Sequence, residues 1–170
     1  MFKRLFTPIA IGSMVVRNRI VMPPMHMGYG AMDGTVTEKY RDYYEARAKG
    51  GTGLIITEAC AVHPERQYGL LPLCLYDDAL IPGWKELADA VHRHGAKLAA
   101  QLMDPGPESM KILTGMDPLG PSPVAGKGIF RSMPRELSSS EIEAIVEDFG
   151  HAVRRAQKAG LDAVEIHAAH

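Results

Sequence analysis

Apolar and polar positions along this chain follow two periods. Helical spacing runs over 38–49, 82–94 and 140–159, and short unbroken apolar runs fall at 19–23, 54–59, 97–102 and 162–167. Apolar runs of that length without alternation fit strands covered on both faces, as in a parallel sheet. One unit recurs three times, a helix ending in basic residues, then glycine, then an apolar strand: RAKGGTGLIITEA (47–59), HRHGAKLAAQL (92–102) and QKAGLDAVEIH (157–167). Basic side chains face the partial negative charge of a helix C-terminus. Glycine there takes the left-handed conformation that ends the helix. Thr37 starts the first helix, and Pro82 sits in the first turn of the second. Ser138 and Glu141 have capping-box spacing for the third, with Ile142, Ile145, Phe149, Val153 and Ala156 as its apolar stripe. Ahead of the first strand, IAIGSMVV predicts a hairpin over 8–16 turning at Gly12-Ser13.

Repeated helix–glycine–strand units predict an α/β protein with parallel strands. An N-terminal hairpin, four strands and three helices make half of a closed (β/α)8 TIM barrel, which usually needs about 250 residues. The alternative is a small doubly wound open sheet. The barrel half is preferred, because no GxGxxG follows a strand and the leading hairpin has the character of a barrel-floor plug. The segment 103–137 carries six prolines and several glycines. It predicts an irregular insertion, either a functional lid or flap or a disordered segment. The chain closes on HAAH directly after its fourth strand, which predicts an interrupted barrel.

Composition adds exclusions. The 170 residues are 46% hydrophobic and 23% charged, an ordinary balance for one globular domain. A formal net charge of −1 and 6% aromatics give no basic footprint and no stacking platform for nucleic acid. No apolar run is long enough to span a membrane, and Pro8, Gly12 and Arg17 break the stretch after the basic N-terminus where a signal peptide would need continuity. Cys60 and Cys74 form neither a CxxC pair nor a disulfide framework and read as inert thiols in a reducing, cytoplasmic setting.

The candidate chemistry lies at the carboxyl ends of the strands, where parallel sheets keep it. Four groups should meet there: Pro23-Pro24-Met25-His26, Glu58-Ala59-Cys60, Gln101-Leu102, and His167 with His170. Gln101 both donates and accepts, and paired prolines fix the backbone without donating. Together they suit a planar, hydrogen-bonding ligand. A second reading stays open, in which His26, His167 and His170 hold zinc or iron for a hydrolase or lyase, with Glu58 and Glu165 as nearby carboxylates. A third is a half barrel with no catalysis of its own. His63, His92, His94 and His151 are expected to be solvated, and Asp77-Asp78 to form a turn.

Several motifs then narrow the choice: RNRIVMPPM (17–25), the Tyr-Tyr-x-x-Arg-Ala-Lys-Gly-Gly-x-Gly-Leu-Ile run (43–55), Thr57-Glu58-Ala59, DAVHRHGAKLAAQL (89–102), GPSPV (120–124) and VEIHAAH (164–170). In this order they resemble the old yellow enzyme family, in its bacterial branch of NADH:flavin oxidoreductases, 2,4-dienoyl-CoA reductases and enoate reductases. The resemblance covers nearly the whole chain and implies the N-terminal half, 1–170, of an FMN-binding TIM barrel. It implies that hydride passes from NADH or NADPH through FMN to the C=C bond of an α,β-unsaturated carbonyl compound, an enone or enoyl-CoA-like substrate. By position, Pro23, Pro24, Met25, Ala59, Gln101 and His167 would line the flavin, and His26 would tune it. His167 and His170 would grip the substrate's carbonyl oxygen. The resemblance further implies that the FMN phosphate site and the proton-donating tyrosine follow residue 170, so that 1–170 alone is inactive. A 4Fe-4S cluster and FAD would belong to further C-terminal regions of larger relatives. The bare sheet edges of a half barrel predict self-association or pairing with the remaining half. One departure stands out: after Gln101-Leu102 the family's His and Gly-Arg pair are replaced by Met103-Asp104-Pro105-Gly106-Pro107-Glu108.

Overall fold

Residues 2–125 and 132–169 are described by a computed structural model; Met1, 126–131 and His170 lie outside them. The predicted hairpin forms from β1 (Ile9–Ile11) and β2 (Met14–Val16), antiparallel around Gly12 at φ 59°. Next comes β3 (Val21–Met22), shorter than the predicted run because Pro23 and Pro24 remove two donors from the ladder. Helix α1 (Glu38–Lys49) starts at Thr37, whose side chain accepts from the Tyr40 amide. Then follow β4 (Leu54–Ala61), β5 (Leu73–Cys74), α2 (Ile81–His92) and β6 (Lys97–Met103). The chain continues through α3 (Lys111–Thr114), β7 (Leu119–Gly120), β8 (Arg135–Glu136), α4 (Ser139–Lys158) and β9 (Ala163–Ile166). The three helix-ending glycines are left-handed as expected, Gly51 at φ 104°, Gly95 at 72° and Gly160 at 81°.

The main sheet is parallel, in the order β3-β4-β6-β9, with β5 pairing on the end of β4 beyond β3. Its convex side packs on α1, α2 and α4, and the core there holds Tyr40, Tyr44, Trp84, Leu87, Val91, Leu98 and Leu102. Trp84 is fully buried, and its indole N–H donates to the Cys74 carbonyl at 2.8 Å. On the opposite face, Val16 and Met14 of the hairpin pack with Leu54, Ile56, Ala99 and Ala163. The hairpin therefore closes the amino-terminal floor of a concave sheet face and leaves the carboxyl-terminal end for chemistry.

Three expectations change. The 103–137 segment is not wholly irregular: α3 and a short parallel β7–β8 ladder fall inside it. The stripe of α4 is split. Ala152 and Ala156 are buried and Phe149 packs on the core, while Ile142 and Val153 are exposed, because the helix turns the 149–152–156 edge toward the sheet. His92 and His94 are not merely solvated: His92 Nε2 lies 2.6 Å from Asp162 and His94 Nε2 3.0 Å from Glu45. Asp77 caps a single 3-10 turn, and Asp78 pairs with Arg155 and Lys158, so this acidic pair does mark a turn.

The cap of α4 carries a pH dependence. Ser138 and Glu141 form a full capping box, and Arg135 also pairs with Glu141. Arg135 first, then Ser138, holds the Glu141 carboxyl down from the ordinary 4.5 to about 2. A carboxylate depressed by folding contributes stability above its unfolded value and loses it as pH falls through its folded one. The first turn of α4 should therefore lose amide exchange protection between about pH 4.5 and about pH 2. Constant protection of residues 139–142 across that window would count against the cap.

Candidate active site

The site begins with an irregularity in β4. The pairing with β6 runs evenly from Leu54 to Ile56, then shifts before Ala59. Such a bulge re-aims side chains. Here Glu58 turns to the helix layer and Ala59 to the concave face. Glu58 is fully buried, and its two oxygens accept from the backbone amides of Met27 at 2.6 Å and Leu73 at 3.0 Å. Its own amide donates to the Tyr44 hydroxyl at 2.9 Å. The sequence expectation that placed Glu58 among rim groups, as a carboxylate for a metal, is thus overturned; both oxygens are committed to backbone donors.

The Met27 contact fixes the path of the proline segment. Met22 pairs with Ile55 in the ladder and Met27 is tied to Glu58, so residues 23–26 run alongside β4 toward the mouth. Pro24 is half-buried and Met25 exposed. The His26 ring lies 3.6 Å from Glu58 and packs on Gly69, where an added Cβ would meet Nε2 at 2.6 Å. Position 69, at φ 79°, is therefore glycine for two reasons, left-handed backbone and contact with the His26 ring.

Across the next strands, Ala59 pairs with Gln101 and Gln101 with Glu165. In-register neighbours of a parallel ladder share a side, so Ala59, Gln101 and Glu165 form a row across the concave face. Gln101 is 8% exposed, and its Nε2 donates to Glu165 Oε1 at 2.7 Å. The ladder extends past β9, with the His167 amide donating to the Leu102 carbonyl at 2.9 Å. That places His167 two residues beyond Glu165 on the same face. The ladder register thus puts Ala59, Gln101 and His167 on one face, with the 23–26 segment running beside β4; His170 lies outside the described residues. Among the described residues no group of three His, Cys, Asp or Glu is placed to hold a metal ion.

Sequence reasoning missed two features. One is the Gln101–Glu165 pair, whose trace in the sequence is a polar residue toward the carboxyl end of each apolar strand. The other is Arg66, which bridges Asp104 and Asp148 at 2.5 Å each. Arg66 ties the loop after β4 to the Asp104 segment and to α4. A cavity of about 380 Å³ lies beside it, lined by His63, Ser109, Met116 and Arg135 among others. Burial and the neighbouring Arg66 push the His63 imidazole below its usual range. Cys60 and Cys74 are buried and unpaired, and burial pushes both thiols up, Cys74 to about 12.

A family model described as "NADH:flavin oxidoreductase / NADH oxidase family" matches residues 4–170. The chain is 43% identical over 171 residues to an NADH oxidase of Thermoanaerobacter brockii, covering 99% of this chain and 26% of that protein. It is 39% identical over 168 residues to an NADPH dehydrogenase of Listeria welshimeri, covering 98% of this chain and 48% of that protein. The old yellow enzyme homologue from Zymomonas mobilis superposes with a TM-score of 0.90 at 32% identity, over 96% of this chain and 48% of that one. The chain therefore spans about a quarter to about half the length of the curated relatives it matches. The fold is accordingly part of a (β/α)8 barrel, its floor hairpin and first four strands, and the open-sheet alternative falls. Among the described residues no helix is long and apolar enough to cross a membrane.

Proposed function

Because the chain belongs to the NADH:flavin oxidoreductase / NADH oxidase family, we propose that it forms the flavin-facing wall of an FMN-dependent ene-reductase. NADH or NADPH is the reductant, and an enone or enoyl-CoA-like compound is the substrate. The observation that carries this reading is the row Ala59–Gln101–Glu165, continued by His167 at the carboxyl end of the strands. Its residues fit a flat heteroaromatic ring. Ala59 adds nothing beyond a methyl group, the 23–25 segment offers proline backbone and an exposed Met25, and Gln101 supplies a donor and an acceptor at the centre. FMN, when bound, supplies the hydride chemistry.

In this reading Pro23, Pro24, Met25, Ala59, Gln101 and His167 hold the ring, and His26 tunes its surroundings from beside Glu58. His167 and His170 donate N–H groups to the substrate's carbonyl oxygen. Negative charge grows on that oxygen as hydride reaches the β-carbon, so two fixed donors stabilise the transition state more than the ground state. The unpaired buried cysteines suit a reducing cytoplasm.

The test is the full-length protein. It should purify with flavin absorbance and reduce an enone with NADH or NADPH. Replacing His167 by alanine should lower kcat on the order of 100-fold, the usual effect of removing one oxyanion donor. A colourless protein with no enone turnover would reject the reading.

A further inference from the structure

A glutamine amide on a ligand face has an ambiguity built in: its oxygen and nitrogen can exchange places by a rotation about one bond. A site that must read a ring edge needs that rotation fixed. Gln101 is nearly enclosed, and Glu165 stands beside it in the ladder with Oε1 accepting from Nε2 at 2.7 Å. An ionised carboxylate has no hydrogen to donate, so it can hold only the nitrogen end of the amide. The inverted rotamer would set two oxygens against each other.

Resting on the flavin reading above, we propose that Glu165 is a positioning residue that locks the Gln101 amide in one orientation. The locked amide keeps Oε1 and its second N–H free for the ligand. That is an acceptor beside a donor, and its complement is a ring edge carrying N–H beside C=O, an imide. The pyrimidine edge of a flavin has that chemistry, whereas an adenine or nicotinamide ring has no ring N–H beside a carbonyl. Glu165 thus selects the class of ring that the row receives while touching the amide rather than the ring. Glu165 is half-exposed on the concave face and is not part of the convex core, so it can be changed without opening a cavity there.

Two measurements on the full-length protein test this. The first is independent of flavin: in NMR spectra the two Gln101 side-chain amide protons should be widely split and one protected from exchange. Glu165→Leu should collapse that splitting, and Glu165→Gln, whose own amide can present either its oxygen or its NH2 group, should restore only part of it. The second is an FMN titration by fluorescence. Glu165→Leu should weaken FMN roughly tenfold, about the effect of one hydrogen bond, and should have no effect in a Gln101→Ala background. Unsplit Gln101 protons in the parent protein, or equal losses of FMN affinity with and without Gln101, would overturn the proposal. A parent protein with split, protected protons but no FMN affinity would instead overturn the flavin reading and leave the lock standing.

Discussion

Glu58→Ala should lower the unfolding free energy by about 4 kcal/mol, because two buried backbone donors would lose their partner at about 1–3 kcal/mol each and both contacts are to a charged acceptor. The donors are the Met27 and Leu73 amides, and the carboxylate between them has no solvent exposure. Around it lie Tyr40, Tyr44 and the His26 ring. Burial first, and then the Glu58 carboxylate, pushes the Tyr40 phenol above its usual range. Burial also raises that of Tyr44. Both phenols therefore stay neutral, so no second charge competes with Glu58 in the helix layer. Glu58→Gln is nearly isosteric but keeps a single acceptor oxygen and points an NH2 group at the other amide, so about half of that loss should remain. Urea unfolding of the two variants measures this. A loss below about 1 kcal/mol for Glu58→Ala would mean that water replaces the carboxylate and that the clamp is not structural. The same variants should loosen the 23–26 segment, since Met27 is its anchor to β4.

Glu58 also marks where the sequence stops being legible. Helix ends were readable, because they depend on local chemistry: Thr37 and Ser138 accept from amides three residues on, and Gly51, Gly95 and Gly160 supply left-handed turns. The parallel order was readable as well, since unbroken apolar strands after each glycine admit little else. The direction of Glu58 was not, because it depends on a bulge between Ile56 and Ala59 that leaves no mark in an apolar–polar pattern. Gln101 could be placed at a strand end, but its partner could not. The pair is separated by 64 residues, and only the ladder register puts Glu165 beside it. The pairing of His92 with Asp162 and of His94 with Glu45 is of the same kind. Neither carboxylate lies within a helical turn of its histidine.

Residues 1–170 as a separate protein should self-associate. Among the described residues the sheet has two open sides, β3 with β5 on one and β9 on the other. Each presents backbone N–H and C=O groups that a second strand can pair, and nothing in β9 blunts the edge with proline or lysine. Beside β9, helix α4 exposes Ile142, Val146 and Val153, and Ile166 is 55% exposed at the strand's end. An open edge flanked by an apolar helix face is the geometry that joins sheets between chains. In a closed barrel the same edge and the same helix face meet the next βα step. Sedimentation across a wide concentration range should show dimers or larger species that grow with concentration. Val146→Lys with Ile142→Lys should shift the population toward monomer, because burying two lysines at a contact is costly. A monodisperse monomer that unfolds cooperatively at every concentration would show that these edges are closed by the chain itself, and would remove the physical reason for a partner half.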